Sequence, residues 1–136
     1  MNIWMNLLCI QPGRNGGVET YCRGLLGPLS QMSGIDLTLL CTPVLADQLR
    51  LIVDCEVRTP GIPLSNRPAR VLYEQMWLSH HALRRGADLL FCPGYLSPVA
   101  PLIPTVVTIP DTQFCDIPQM MGAAERATYR AIIPTA

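Results

Sequence analysis

Apolar positions along this chain come in short blocks rather than in long amphipathic stripes. Residues 2–10 (NIWMNLLCI) form a nearly continuous apolar run without helix caps, and read as a first strand buried on both faces. A polar loop, QPGRNGG, follows. Val18, Tyr21, Cys22, Leu25, Leu26 and Leu29 then recur at helical spacing. They predict a helix over 18–29 that Pro28 ends or kinks, because proline has no amide to donate. DLTLLC (36–41) reads as a second strand. Thr42 before Pro43 is a helix-start signature, and the pattern LADQLRLI continues that helix to residue 52. Glu56–Arg58 is a short third strand. Pro68 opens a longer helix to about residue 85, with Leu72, Met76, Ser79 and Leu83 along one face. Two strands, over 88–92 and 105–109, flank a proline-rich loop, and Ala123–Ile132 is a last helix.

Short apolar strands alternating with helices, with no two-residue hairpin turns, predict an α/β fold. The expected form is an open, mostly parallel, Rossmann-like sheet with helices on both faces, built from residues 1–136 as one domain. The charge-free stretch 89–109 is long enough to span a bilayer. Pro93, Pro98, Pro101 and Pro104 lie inside it, each costing about 3 kcal/mol in a helix interior, so two strands and a rigid loop are the better reading.

Composition narrows the classes. Hydrophobic residues make up 49% and charged residues 15%, which excludes a disordered chain. The formal net charge is zero and all ten basic residues are arginines scattered along the sequence, so no basic stripe points to nucleic acid. None of the six cysteines lies two to four residues from another, so zinc-type ligand pairs are absent. Most sit in apolar segments and read as buried free thiols, which points to a reducing, cytoplasmic setting. The start, MNIWMNLLCI, has neither the basic region nor the small-residue cleavage site of a secretory signal.

In open parallel sheets, ligands bind beyond the carboxyl ends of the strands. Gly16 and Gly17 fall there, between first strand and first helix, where the absence of Cβ atoms lets backbone amides approach an anion at a helix terminus. The same loop also reads as a plain turn with Asn15–Gly16 as its central pair. It matches neither the lysine-containing phosphate loop nor G-x-G-x-x-G. Asp111, at the end of the last strand, is placed either to meet a sugar hydroxyl or to form an Asx turn. Tyr95, in FCPGYLSP, falls on the same edge and is a candidate sugar-stacking residue or a loop-packing one. His80 and His81 are adjacent on a helix, so they do not face one metal. Glu74, inside LYEQMW, has no assigned direction.

Several segments in order — NGGVETY, VLYEQMWL, ADLLFCPGYLSP, PTVVTIPDTQF and PQMM before AAERATYR — resemble the N-terminal domain of family 4 retaining glycosyltransferases of the two-domain GT-B type. The resemblance runs over nearly the whole chain. It implies a Rossmann-like acceptor-side half, followed by a C-terminal donor-binding domain that carries an E-x7-E acidic pair and is absent from these residues. It also implies transfer of a sugar from a nucleotide diphosphate sugar to a glycan or lipid-linked acceptor hydroxyl, with retention. Gly16 and Gly17 would approach the donor diphosphate, Tyr95 the acceptor, and Asp111 the reacting groups. No metal or cofactor beyond the nucleotide sugar is implied, and lipid-linked acceptors would bring peripheral membrane contact. The family often has histidine where this chain has Pro110, which removes one proton-carrying side chain. The half alone is expected to be inactive; the alternative is a non-catalytic nucleotide- or glycan-binding module.

Overall fold

The computed structural model describes residues 1–14, 16–64 and 66–133. Its strands are β1 (Asn2–Asn6), β2 (Asp36–Leu40), β3 (Glu56–Arg58), β4 (Leu89–Cys92) and β5 (Thr105–Val107). All pair in parallel, in the order β3-β2-β1-β4-β5, so the strand order reverses between β1 and β4. The architecture is therefore the expected open, Rossmann-like α/β sheet.

Side-chain alternation along the strands divides the core into two layers. Ile3, Met5, Leu37 and Leu39 pack on one face against Cys22 and Leu26 of α1 (Gly16–Gln31) and against Leu45, Ala46 and Leu49 of α2 (Pro43–Leu49). Trp4, Leu40, Leu90 and Cys92 point to the other face. That face is covered by α3 (Arg67–Tyr73), a π-helical turn (Glu74–Leu78) and α4 (Ser79–Arg84). Asn66 caps α3 by accepting from the Ala69 amide at 2.8 Å. Beyond β5 lie the short α5 (Gln113–Asp116), a 3-10 turn at Pro118–Met120, and α6 (Ala123–Ile132).

Several expectations shift. β1 stops at Asn6 rather than residue 10, because the Leu8 amide turns onto the Asn6 side-chain oxygen (3.2 Å) instead of joining a ladder. The first helix begins earlier and continues past Pro28 to Gln31. The carbonyl that Pro28 cannot serve belongs to Gly24, and both residues are exposed, on the side of the helix open to solvent. Thr42 has the extended cap conformation but its hydroxyl caps nothing, and α2 ends at Leu49, with Leu51 and Ile52 in solvent. β5 ends at Val107, two residues early, although Thr108 still donates to the Cys92 carbonyl and accepts from the Tyr95 amide.

The largest correction concerns the long helical run. Leu72, Met76 and Leu83, expected along one apolar face with Ser79, are all exposed; only Ser79 is buried. The row against the sheet is Tyr73, Glu74, Leu78 and Ala82. From Glu74 the row steps by four to Leu78 and Ala82, on a face rotated from the expected one, and the segment Glu74–Leu78 that begins it is a π turn with i→i+5 bonding.

That rotation carries a carboxylate inward. Glu74 is 1% exposed, and its Oε1 accepts from Asn6 Nδ2 at 3.0 Å. Its Oε2 lies 3.8 Å from Arg70 Nε, close enough for attraction but not hydrogen-bonded. Burial pushes the Glu74 carboxyl above its ordinary range, against the opposing pull of Arg70 and the Asn6 bond.

Glu74→Ala, which orphans both the Asn6 amide and the Arg70 charge, is expected to cost about 3 kcal/mol in urea unfolding. Glu74→Gln, which keeps an acceptor for Asn6, should cost less. Folded Glu74 holds its proton more tightly than the unfolded chain does. Its contribution is thus complete below the unfolded value of about 4.3 and is lost as pH rises through the raised folded value. The stability difference between wild type and Glu74→Gln should therefore shift against wild type as pH rises.

Candidate functional site

The loops leaving β1, β4 and β5 meet at the carboxyl edge of the sheet, beside the reversal in strand order. The first of these loops turns through Gly13 at φ +76°, and its Gly13 amide donates to Glu19 Oε2 at 2.9 Å. That bond, followed by the Arg23 guanidinium, holds the Glu19 carboxyl below its usual range. Gly16 enters α1 at φ +27°, a conformation that favours glycine. Both Gly16 and Gly17 are exposed, and a Cβ on either would meet nothing within 4 Å. Asn15, the proposed partner of Gly16 in a turn, lies outside the described residues.

The second loop carries Tyr95 in the left-handed region, at φ +65°. A bulky side chain there is strained, and it is held by several partners. The Tyr95 amide donates to the Thr108 carbonyl (3.1 Å), and the Tyr95 hydroxyl donates to Asp111 Oδ2 (2.7 Å). One face of the Tyr95 ring stacks on Tyr129 of α6, with centroids 4.9 Å apart and planes inclined by 18°. Burial, and then the Asp111 carboxylate, raise the Tyr95 phenol well above its ordinary value.

Asp111 forms the Asx turn considered for it and also holds Tyr95. Its Oδ1 accepts from the Gln113 amide at 3.0 Å, an Asx turn, while Oδ2 receives the Tyr95 hydroxyl. Each oxygen keeps a lone pair for a further donor.

Gly17, Tyr21, Tyr95, Pro110 and Asp111 line one cavity of about 740 Å³, with Arg14 at its side. Three of the four residues singled out in the sequence thus meet around one space. Gly16 stands next to it without lining it. A smaller hollow of about 200 Å³ shares Tyr95 and Val18 and is walled by Arg67, Arg70, Glu125 and Tyr129. Arg67 reaches Glu125 at 2.8 Å and lies 5.1 Å over the Tyr129 ring, which ties α6 to α3. Burial pushes the Tyr129 phenol up to about 12.

Arg14, Arg67, Arg70, Glu74 and Tyr129 had no role in the sequence reading. The i, i+4 spacing of Arg70 and Glu74 was a readable signal; the Arg67–Glu125 pair, joining distant segments, left none. His81 lies away from this edge, with Nδ1 2.9 Å from the Tyr73 hydroxyl, and His80 is half-buried on the same helix. Cys22, Cys41 and Cys92 are buried, Cys9 and Cys55 half-buried and Cys115 exposed; all six are free thiols. Burial raises the Cys9 thiol to about 11 and those of Cys22 and Cys41 to about 12, which removes them as nucleophiles. Among the described residues no helix is long and apolar enough to cross a membrane, and residues 89–109 are two strands and a loop.

No protein-family model, curated protein or solved structure matches the chain.

Gly94 is where the site's backbone is most tightly constrained, since a Cβ there would overlap Cys9 Sγ. Gly94→Ala should destabilise the fold by about 1–3 kcal/mol. In a Cys9→Ala background, where the nearest remaining atom is the residue 9 Cβ at 3.4 Å, most of that loss should disappear. Thermal unfolding of the two single variants and the double variant checks this coupling.

Proposed function

We propose that this chain is the acceptor-side half of a retaining glycosyltransferase of the GT-B type. It would move a sugar from a nucleotide diphosphate sugar to an acceptor hydroxyl, with most donor contacts supplied by a further domain. The observation that carries this reading is the convergence of Gly17, Tyr95 and Asp111 on one cavity at the carboxyl edge of a parallel sheet. That edge is where open α/β sheets bind ligands, and the cavity volume lies in the range of small-molecule sites.

In this reading the uncovered backbone at Gly16 and Gly17 meets the diphosphate, where fixed amide dipoles stabilise charge developing on the leaving group. Arg14, on the same cavity, adds a formal positive charge. The free face of Tyr95 packs a ring of the acceptor. Asp111 accepts from the acceptor hydroxyl and orients it toward the donor. Pro110 carries no proton at the position where the resembling family often has histidine, so proton transfer there falls to Asp111 or to the phosphate oxygens.

The purified 136-residue chain is expected to show no transfer and only weak donor binding, with Kd on the order of 1 mM. In a ¹H–¹⁵N NMR titration with uridine diphosphate glucose and guanosine diphosphate mannose, shifts should concentrate at Gly16, Gly17, Tyr95 and Asp111. Gly17→Val, whose Cβ meets no atom within 4 Å, should weaken binding at least tenfold without lowering Tm. Absence of shifts with either nucleotide sugar, or shifts confined to another part of the molecule, would overturn the proposal.

A further inference from the structure

A second cavity, of about 520 Å³, opens on the face of the sheet that α3 and α4 cover only in part. Its floor is Trp4 and Leu40, with Tyr73 at one side. Its walls are cationic. Arg58, the last residue of β3, stands on one; His81, Arg84 and Arg85, from α4 and its carboxyl end, stand on the other. Three of the chain's ten arginines thus gather around one space, although the chain as a whole has no net charge.

Their counter-charges are few. Glu56 pairs with Arg58 at 2.5 Å. No carboxylate among the described residues forms an ion pair with Arg84 or Arg85. The Arg58 Nε is buried without a hydrogen-bond partner, a cost that an incoming acceptor would offset. His81 Nδ1 is engaged by the Tyr73 hydroxyl, which holds the ring in place beside the cavity. The dipole of α4 favours cations at its last turn and so accounts for the sign of Arg84. It does not account for Arg58, which faces them from a different element. Like charges set across a groove with an apolar floor raise the local potential and favour a bridging anion.

We propose that this cavity is a binding site for a small phosphorylated ligand, a diphosphate or a phosphomonoester carrying an apolar or ring portion, distinct from the glycine-loop edge. The anionic groups bridge Arg58 to Arg84 and Arg85, whose planar forks match phosphate oxygens in pairs. The apolar portion lies toward Trp4 and Leu40. The volume suits a ligand of nucleotide size rather than a lone ion. This inference goes beyond the transferase reading and does not need it.

Inorganic pyrophosphate is the direct probe, titrated calorimetrically and by NMR into the intact chain at constant ionic strength, with sodium sulfate as the control for general screening. Pyrophosphate is expected to shift the resonances of Arg58, Thr59 and Arg85 and to bind at least tenfold more tightly than sulfate. The double variant Arg84→Gln/Arg85→Gln changes two exposed side chains, so it should keep the wild-type Tm while losing at least tenfold in affinity. Gly17→Val should leave pyrophosphate binding here unchanged, so that failure of this site and failure of the donor site are separate results. Equal affinity for pyrophosphate and sulfate, or unchanged affinity in the double arginine variant, would overturn the proposal. So would loss of pyrophosphate binding in Gly17→Val.

Discussion

The carboxyl edge of the sheet depends on one buried polar contact, the Asn6 amide against the Glu74 carboxylate. Asn6 is the last residue of the central strand, and its side chain works in two directions. Its nitrogen reaches the π turn, and its oxygen receives the Leu8 amide and so ends the strand. Where the glycine loop leaves the sheet is therefore tied to how the helix on the opposite face is wound. A carboxylate with this burial is a costly choice, since an apolar pair would pack without desolvating a charge. What the polar pair adds is direction: only one rotation of the helix satisfies it.

The strands were legible because their apolar blocks are short, alternate with helices and are bounded by glycine and proline. Parallel pairing then followed from the alternation, whereas the order of strands in the sheet was not read from it. The face of the helix crossing from β3 to β4 was not legible. Leu72, Met76 and Leu83 satisfy an ideal helical period, while the true inward row contains an acid, Glu74, and continues through Leu78 and Ala82. Periodicity assumes a uniform helix, and the π turn that opens with Glu74, the partner of Asn6, is a local exception. Pro28 does not end its helix, because the cost of a missing hydrogen bond depends on whether the orphaned carbonyl faces water.

The candidate site shows the same division. Gly17, Tyr95 and Asp111 could be placed on one edge from strand ends alone, and they do line one cavity. The left-handed backbone at Tyr95 and its bond to Asp111 had no sequence signal, since neither residue type announces the other across the intervening strand. The arginines look evenly dispersed along the chain but are grouped in space. Arg67 and Arg70 face Glu125 and Glu74, whereas Arg58, Arg84 and Arg85 share an opening where, among the described residues, Glu56 alone forms an ion pair with them. A neutral total is thus compatible with strongly uneven local fields.

The link from β4 to β5 is a parallel crossover made without a helix. Its backbone groups are instead served by side chains from the helical layer. Gln75 donates to the Ser97 carbonyl and accepts from the Val99 amide, both at 2.9 Å, and the Ser79 hydroxyl accepts from the Leu102 amide at 2.6 Å. A helical crossover would supply these bonds from its own main chain and tolerate almost any outward-facing residue. Here the same task rests on two side chains whose chemistry has no apolar substitute. Drift at Gln75 or Ser79 would have to be matched by rebuilding the whole proline segment, so this stretch and the helix above it are bound to evolve as one unit.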